Sequence, residues 1–81
     1  MTASFTLRFR EQYQRLSSER QAKFDKQLAF LPLNLRHPSL RAKKYDETND
    51  IWQARVDGDY RFYFQIDGDT CILLSIIPHP K

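Results

Sequence analysis

Two arginines, Arg55 and Arg61, are the residues of this sequence whose type and spacing best suit chemistry. They flank Asp57-Gly58-Asp59, a turn that separates two segments rich in aromatic and branched residues, which is typical of a β-hairpin. If Asp57 to Asp59 form a three-residue loop, Arg55 lies directly opposite Arg61 on the same face. Like charges so placed destabilise a sheet, and a bound anion would compensate them. The spacing therefore predicts an anion site.

The two strands have an alternative register, which the sequence alone leaves open. A two-residue loop of Asp57-Gly58 would mix Trp52 with Arg61 and Tyr60 with Arg55. The three-residue loop separates polar from apolar side chains, and we favour it for that reason. Its apolar face holds Trp52, Ala54, Val56, Tyr60, Phe62 and Phe64, and its polar face holds Gln53, Arg55, Arg61, Tyr63 and Gln65.

His79 is the candidate for proton transfer, because an imidazole changes its charge near neutral pH. A second Asp-Gly-Asp turn, at 67–69, precedes the final apolar segment. If this turn is also a three-residue loop, Ser75 lies beside Arg61, and His79 lies on the arginine side just past the strand end. Groups able to handle a phosphate would then converge, although a histidine between two prolines is also typical of an ordered terminal tail.

Two amphipathic helices precede the sheet and must support it. Thr6 has the type of an N-cap for a helix from Leu7 to Leu16. Ser18 and Gln21 have the form of a capping box for a second helix, which Pro32 ends. The apolar stripes at helical spacing are Phe9, Tyr13 and Leu16 in the first helix and Phe24, Leu28 and Leu31 in the second.

The predicted fold is α+β, in a single domain spanning residues 1–81. An N-terminal helical hairpin packs on one face of a small antiparallel sheet, whose apolar side chains it covers. The sheet is a three-stranded C-terminal meander within residues 51–79, to which residues 1–5 can add an N-terminal edge strand. Hydrophobic residues make up 41% of the 81, which suffices for one modest core.

Composition excludes several classes of protein. One cysteine, Cys71, rules out a disulfide framework and favours a reducing compartment. No segment approaches the length of a membrane helix and no apolar leader begins the sequence, so we expect a cytoplasmic protein with no membrane partner. Two histidines and one cysteine make no zinc motif, and neither a metal nor another cofactor is predicted.

Positive charge is concentrated in the first half of the sequence. Residues 1–44 hold ten lysines and arginines against three acids, whereas residues 45–70 hold two against seven. The long connection at 32–50 carries Arg36, Arg41, Lys43 and Lys44 before its first acid, Asp46. This asymmetry predicts that the basic part binds a polyanion, and an ordinary solvated basic loop is the alternative.

These features together resemble the RelE/ParE toxins of bacterial toxin–antitoxin systems. The resemblance rests on the run RVDGDYRFYF at 55–64, the basic connector HPSLRAKK at 37–44, the helical hairpin, and the apolar strand that ends near a histidine. It implies a small α+β toxin neutralised by a separately encoded antitoxin. RelE-like members cleave mRNA in the ribosomal A site, whereas ParE-like members act on DNA gyrase.

The resemblance also implies roles for individual residues. Arg61 matches the arginine that contacts the scissile phosphate in the RNA-cleaving branch, and Arg55 matches a second basic residue of the YoeB-like subgroup. His79 falls where that subgroup has a terminal histidine acting as acid or base. We expect phosphate contacts from Lys43, Lys44, Arg41 and Arg36, and base stacking from Tyr63.

Two departures from the subgroup keep alternatives open. No acid stands at 40–42, where a carboxylate base is expected, and Pro80 replaces a terminal tyrosine. The expected function is a metal-independent, ribosome-dependent mRNA endoribonuclease, whose partners are the cognate antitoxin, the ribosome and mRNA. A ParE-like gyrase inhibitor and a catalytically inactive toxin fold that only binds a partner are the alternatives.

Overall fold

Two helices lie on one face of a five-stranded sheet in the computed structural model of the chain, which describes residues 2–80. The elements are β1 (Thr2–Phe5), α1 (Leu7–Gln14), α2 (Ser18–Phe30), β2 (Lys43–Asp46), β3 (Ile51–Arg55), β4 (Tyr60–Asp67) and β5 (Thr70–Pro78). The strand order is β1-β5-β4-β3-β2, and only the β1–β5 pair is parallel. The α+β class, the helical hairpin on one face and the N-terminal edge strand are thus confirmed. The sheet is mixed and contains one more strand than predicted.

A side-chain cap begins each helix, and the cap of α2 lies one residue before the predicted one. The Thr6 hydroxyl accepts the Phe9 N–H at 3.1 Å, as predicted. The hydroxyl of Ser17 accepts the Arg20 N–H at 3.2 Å and caps α2, so the capping box on Ser18 was wrong. Helix α1 ends earlier than predicted because its last turn tightens into i→i−3 bonds from residues 15 and 16.

The register between β3 and β4 is the predicted one. Arg55 pairs with Arg61, Ala54 with Phe62, and Trp52 with Phe64. The apolar face of this hairpin meets α2, where the Phe24 ring lies edge-on to Phe62 at 5.1 Å. The largest of the fully buried side chains in the core are Phe9, Phe24, Leu40, Phe62, Phe64, Cys71, Leu73 and Ile76. Between residues 2 and 80, neither helix has the length and apolar character to span a bilayer.

The register between β4 and β5 differs from the prediction. Asp67 pairs with Thr70, so the connecting loop has two residues, not three. Gly68 adopts φ +58°, a left-handed conformation that glycine enters without steric cost and that two-residue hairpin loops use. A bulge at Tyr63 shifts the pairing further, which places Ser75 opposite Tyr63 and Ile77 opposite Arg61. Ser75 therefore does not lie beside Arg61.

Strand β2 lies within the long connection at 32–50, where no strand was predicted. It pairs antiparallel with β3, Lys43 opposite Gln53 and Lys44 opposite Trp52, and a bulge leaves Tyr45 without a partner. As an edge strand it is largely exposed and lacks apolar alternation, which is why periodicity did not reveal it.

Gln27, a buried polar side chain of α2, fixes the connector and the end of β3. Its Nε2 donates to the carbonyl of Ser39 at 2.7 Å and to that of Arg55 at 2.8 Å. The Arg55 N–H donates to the Leu40 carbonyl at 2.7 Å. The backbone of Arg55 is therefore held from both sides, which limits where its side chain can lie.

Gln27→Ala is expected to lower the free energy of unfolding by about 1–2 kcal/mol, because it removes the side-chain donor from two partly buried carbonyl groups. Urea titration monitored by circular dichroism measures the change. Gln14→Ala, in an exposed helical glutamine, is the control and should cost less than about 0.5 kcal/mol. Equal losses in the two variants would show that Gln27 has no special structural role.

Candidate functional site

The guanidinium groups of Arg55 and Arg61 both lie over the turn that joins β3 to β4. Arg61 Nη1 donates to the carbonyl of Asp57 at 2.6 Å and to that of Tyr60 at 3.0 Å. Arg55 Nη2 lies 3.8 Å from the position that a Cβ on Gly58 would occupy. Both arginines are half-buried. A Cβ at position 58 would thus be in ordinary van der Waals contact with the Arg55 guanidinium, which places that group directly beside the turn.

Within the described part of the chain, residues 2–80, no carboxylate side chain neutralises this arginine pair. Among residues 2–80, no ion pair within 4.0 Å joins Arg55 or Arg61 to an acidic side chain. The Asp57 carboxylate contacts Arg20 at 2.9 Å and Lys23 at 3.9 Å instead. The positive charge of the two guanidinium groups is therefore available to an anion.

Asp57 organises the turn beneath the arginines. Its Oδ1 accepts the N–H groups of Asp59 at 2.8 Å and Tyr60 at 2.9 Å, and its Oδ2 accepts Arg20 Nε. The Arg20 guanidinium also lies 4.0 Å above the Tyr60 ring. Partial burial acts to raise the pKa of Asp57, but the bonds from Arg20, Asp59 and Tyr60 hold it below its ordinary value. Arg61 is thus attached to a turn that α2 itself stabilises.

A carboxyl group with a lowered pKa in the folded state adds stability above its unfolded pKa, near 4, and that stability is lost as pH falls through the folded pKa. Asp57→Asn is therefore expected to cost about 1–2 kcal/mol at pH 7 and to lose less further stability than wild type on acidification to about pH 3. Urea titrations at both values measure this. Asp67→Asn, at the exposed last residue of β4, is the control. Parallel acid losses in wild type and Asp57→Asn would contradict the role of Asp57.

His79 lies at the same end of the sheet as the arginines. Its N–H donates to the Asp59 carbonyl at 2.7 Å, and Ile77, two residues earlier, is the register partner of Arg61. The Nδ1 atom of its ring is buried and has no hydrogen-bond partner among residues 2–80. A buried polar atom without a partner is costly, and a ligand that bonds to this nitrogen would remove the cost.

The basic residues predicted to bind RNA lie in different places. Arg41 adopts φ 47° in the connector and lines a groove together with Arg55. Lys44 forms an ion pair with Asp50, and the hydrogen bond between them raises the pKa of the lysine. The Lys44 Nζ also lies 4.9 Å from the centroid of the Trp52 ring. Lys43 is exposed on edge strand β2 and Arg36 is exposed in the connector. Only Arg41 is thus brought to a cavity that Arg55 also lines.

Tyr63 lies on the sheet face that the helices leave open. It is 8% exposed, its hydroxyl accepts Gln53 Nε2 at 2.8 Å, and the ring of Tyr45 lies edge-on to it at 4.9 Å. Tyr45 is 60% exposed, so its ring is the more accessible of the two. The sequence interpretation missed Tyr45, and its position in an unrecognised edge strand left no periodic signal.

Neither Asp46 nor Glu47 lies beside the arginines. They lie at the hairpin end near Ile51, and four residue steps along β3 place that end about 13 Å from Arg55. Both carboxylate oxygens of Asp46 are bonded to Asn49. The site as described therefore has cations and an imidazole but no adjacent carboxylate from β2.

His37 and Cys71 have structural surroundings. The His37 ring stacks on Phe30 at 3.9 Å, and its Nδ1 accepts the Ser39 N–H at 3.2 Å. Burial raises the pKa of the Cys71 thiol to about 11, which keeps it protonated and unreactive. Among residues 2–80, no three histidine, cysteine or acidic side chains are grouped so as to hold a metal ion.

Comparison with known proteins places this arrangement in a family. The family model for the ParE toxin of type II toxin–antitoxin systems (parDE) matches residues 3–80. The chain belongs to the ParE toxin family. It is therefore the toxin of a toxin–antitoxin system, and the resemblance to RelE/ParE toxins is confirmed. No curated protein sequence matches it significantly.

Solved structures share the fold of this ParE-family toxin over nearly its whole length. The YoeB/ParE toxin from Agrobacterium tumefaciens is 15% identical, with a TM-score of 0.83 and coverage of 99% of this chain and 100% of that one. The RelE–RelB complex from Pyrococcus horikoshii OT3 is 18% identical, with a TM-score of 0.79 and coverage of 95% of this chain and 92% of that one. The YoeB–YefM complex from Staphylococcus aureus is 15% identical, with a TM-score of 0.80 and coverage of 99% of this chain and 98% of that one. At sequence identities this low, these structural matches establish a common fold alone.

Proposed function

We propose that this toxin is a metal-independent endoribonuclease that cuts mRNA on the ribosome and thereby inhibits translation. The observation that carries the proposal is the pair of guanidinium groups, Arg55 and Arg61, held on one turn, without a carboxylate partner among residues 2–80 and close in register to His79. The structural likeness to a YoeB/ParE toxin and to RelE supports the same choice. We assign the whole chain, 1–81, to this single cytoplasmic domain.

RNA cleavage without a metal needs charge stabilisation and two proton transfers. The ribose 2′-oxygen loses its proton and attacks the adjacent phosphorus, the bond to the 5′-oxygen breaks, and that oxygen gains a proton. Arg55 and Arg61 suit the first need, because a planar guanidinium grips two phosphate oxygens and keeps its charge. His79 supplies one of the proton transfers, since imidazole both accepts and donates protons.

We also propose that a cognate antitoxin binds this toxin and that the ribosome and its message are its targets. The solved RelE–RelB and YoeB–YefM structures are toxin–antitoxin complexes, which supports the antitoxin as a partner. An antitoxin that covers the arginine pair would exclude the scissile phosphate. Neutralisation would then follow from occupancy of the site, without any change in the toxin fold.

A gyrase inhibitor is the second candidate, and two observations favour it. The matching family model is that of the ParE toxin, and β2 brings no carboxylate to the arginines. Such a protein would bind gyrase and cut nothing. The arginine pair would then contact a protein or DNA surface, and His79 would have no role in proton transfer.

Primer extension on messages translated in a purified system tests the proposal, with gyrase supercoiling measured in parallel. We expect the toxin to introduce cuts in ribosome-bound message, to leave naked message intact, and to leave supercoiling unchanged. Intact message together with inhibited supercoiling would replace the nuclease by the gyrase inhibitor.

A further inference from the structure

A groove of about 650 Å³ opens between α2, the connector and the end of β3. We call it the basic groove. The charged and titratable groups that line it are Lys23, Lys26, His37, Arg41, Arg55 and Asp57. Arg55 belongs both to this groove and to the arginine pair, so the groove leads directly to the proposed catalytic centre.

The basic groove carries a large excess of positive charge. Four cations line it against one carboxylate, that of Asp57, which is already bound to Arg20 and Lys23. Lys26 and Arg41 are exposed, and neither forms an ion pair with an acid of residues 2–80. Such a lining attracts anions and concentrates them near the groove.

The walls of the basic groove are fixed before any ligand arrives. Gln27 joins α2 to the backbone at Ser39 and Arg55, and the His37 ring stacks on Phe30. Arg41 adopts a left-handed backbone conformation, φ 47°, which non-glycine residues hold only where their surroundings enforce it. A pre-formed site loses little freedom when a ligand binds.

We infer that the basic groove binds the sugar–phosphate backbone of RNA next to the scissile phosphate, with Lys23, Lys26 and Arg41 as phosphate contacts. This inference rests on the proposed RNA-cleaving function and extends it to residues of α2. A series of cations that ends at an arginine pair suits successive phosphates of one strand, because each nucleotide brings one negative charge. The helical lysines thus take the role that the sequence assigned to Lys43 and Lys44.

Fluorescence anisotropy tests the inference with a short, labelled single-stranded RNA whose 2′-hydroxyls are methylated, so that cleavage cannot occur. Lys23→Ala/Lys26→Ala is compared with Arg10→Ala/Arg15→Ala, which removes the same charge from exposed positions of the first helix and its end. Two lost phosphate contacts should reduce the slope of log K against log salt by about 1.4 and weaken binding by about 25-fold at 0.1 M salt. The control variant should bind with an affinity within about twofold of wild type and with an unchanged salt slope.

Several outcomes would overturn the inference. One is an equal loss of RNA affinity in the two double variants, and another is no RNA binding by wild type at low salt. A third is that a polyglutamate peptide of the same charge competes for the groove as effectively as unlabelled RNA does. The last result would assign the groove to an acidic protein segment. If Lys23→Ala/Lys26→Ala alone lost RNA affinity while wild type left message uncut on translating ribosomes, the groove would be supported and the nuclease refuted. If wild type cut the message while Lys23→Ala/Lys26→Ala bound RNA as wild type does, the nuclease would be supported and the groove refuted.

Discussion

Arg61→Ala is expected to lower the rate of message cleavage on translating ribosomes by about 100- to 1,000-fold, the effect of removing one preorganised charge stabiliser. The guanidinium is preorganised because the carbonyls of Asp57 and Tyr60 hold its Nη1 at 2.6 and 3.0 Å. In the transition state this guanidinium would face more negative charge on the phosphate oxygens than it does in the bound message. Primer extension at several times, with ribosomes in excess, measures the rate.

Two further variants separate charge from geometry at this position. Arg61→Lys retains the charge but lacks the planar fork, and we expect it to recover part of the rate. Arg15→Ala, which removes a charge from an exposed position at the end of α1, should cleave as wild type does. Wild-type cleavage by Arg61→Ala, with its fold confirmed by circular dichroism, would refute the catalytic role of the arginine pair.

His79→Gln is expected to lower the cleavage rate by about 100- to 10,000-fold, the usual contribution of one positioned acid or base. Glutamine retains polarity and approximate length but does not exchange a proton. The free energy of unfolding should stay within about 0.5 kcal/mol of wild type, whereas a purely structural change would lower it together with the rate. Urea titration beside the cleavage assay distinguishes the two results.

The neighbouring Pro80→Ala, an exposed position, is the control for disturbance of the terminal segment. It should retain both the cleavage rate and the stability of wild type. A loss of rate that comes with a matching loss of stability in His79→Gln would reduce His79 to a residue that only packs at the β3–β4 turn. Full activity in that variant would remove it from the site altogether.

The sequence predicted the register of β3 and β4 because polar and apolar residues alternate there. Strand β5 offers no such guide: it is apolar on both faces, so a slip of one residue leaves its pattern unchanged. The choice between two- and three-residue loops then depended on the backbone of Gly68, and a bulge at Tyr63 added a second shift. Ser75 was misplaced for these reasons.

The basic groove was beyond sequence reasoning for a different reason. Its cations come from α2, the connector and β3, and are separated by up to 32 residues along the chain, from Lys23 to Arg55. The prediction concentrated instead on the run of basic residues at 36–44, and among its lysines and arginines only Arg41 lines the groove. An ion pair alone does not decide the matter, since Lys44 is paired with Asp50 and Lys23 of the groove is paired with Glu19 and Asp57. Tertiary contacts, rather than local charge density, decide which cations line the groove.

The parallel pairing of β1 with β5 joins Thr2 to Thr70 and Phe5 to Leu73. Strand β1 therefore waits for β5, 68 residues later in the chain, before it can dock, and contacts between such distant residues form slowly. His79 directly follows β5 in the chain. A chain whose synthesis has not yet reached β5 consequently lacks a complete sheet and the proposed proton-transfer group, and we expect it to be harmless to the cell that is making it.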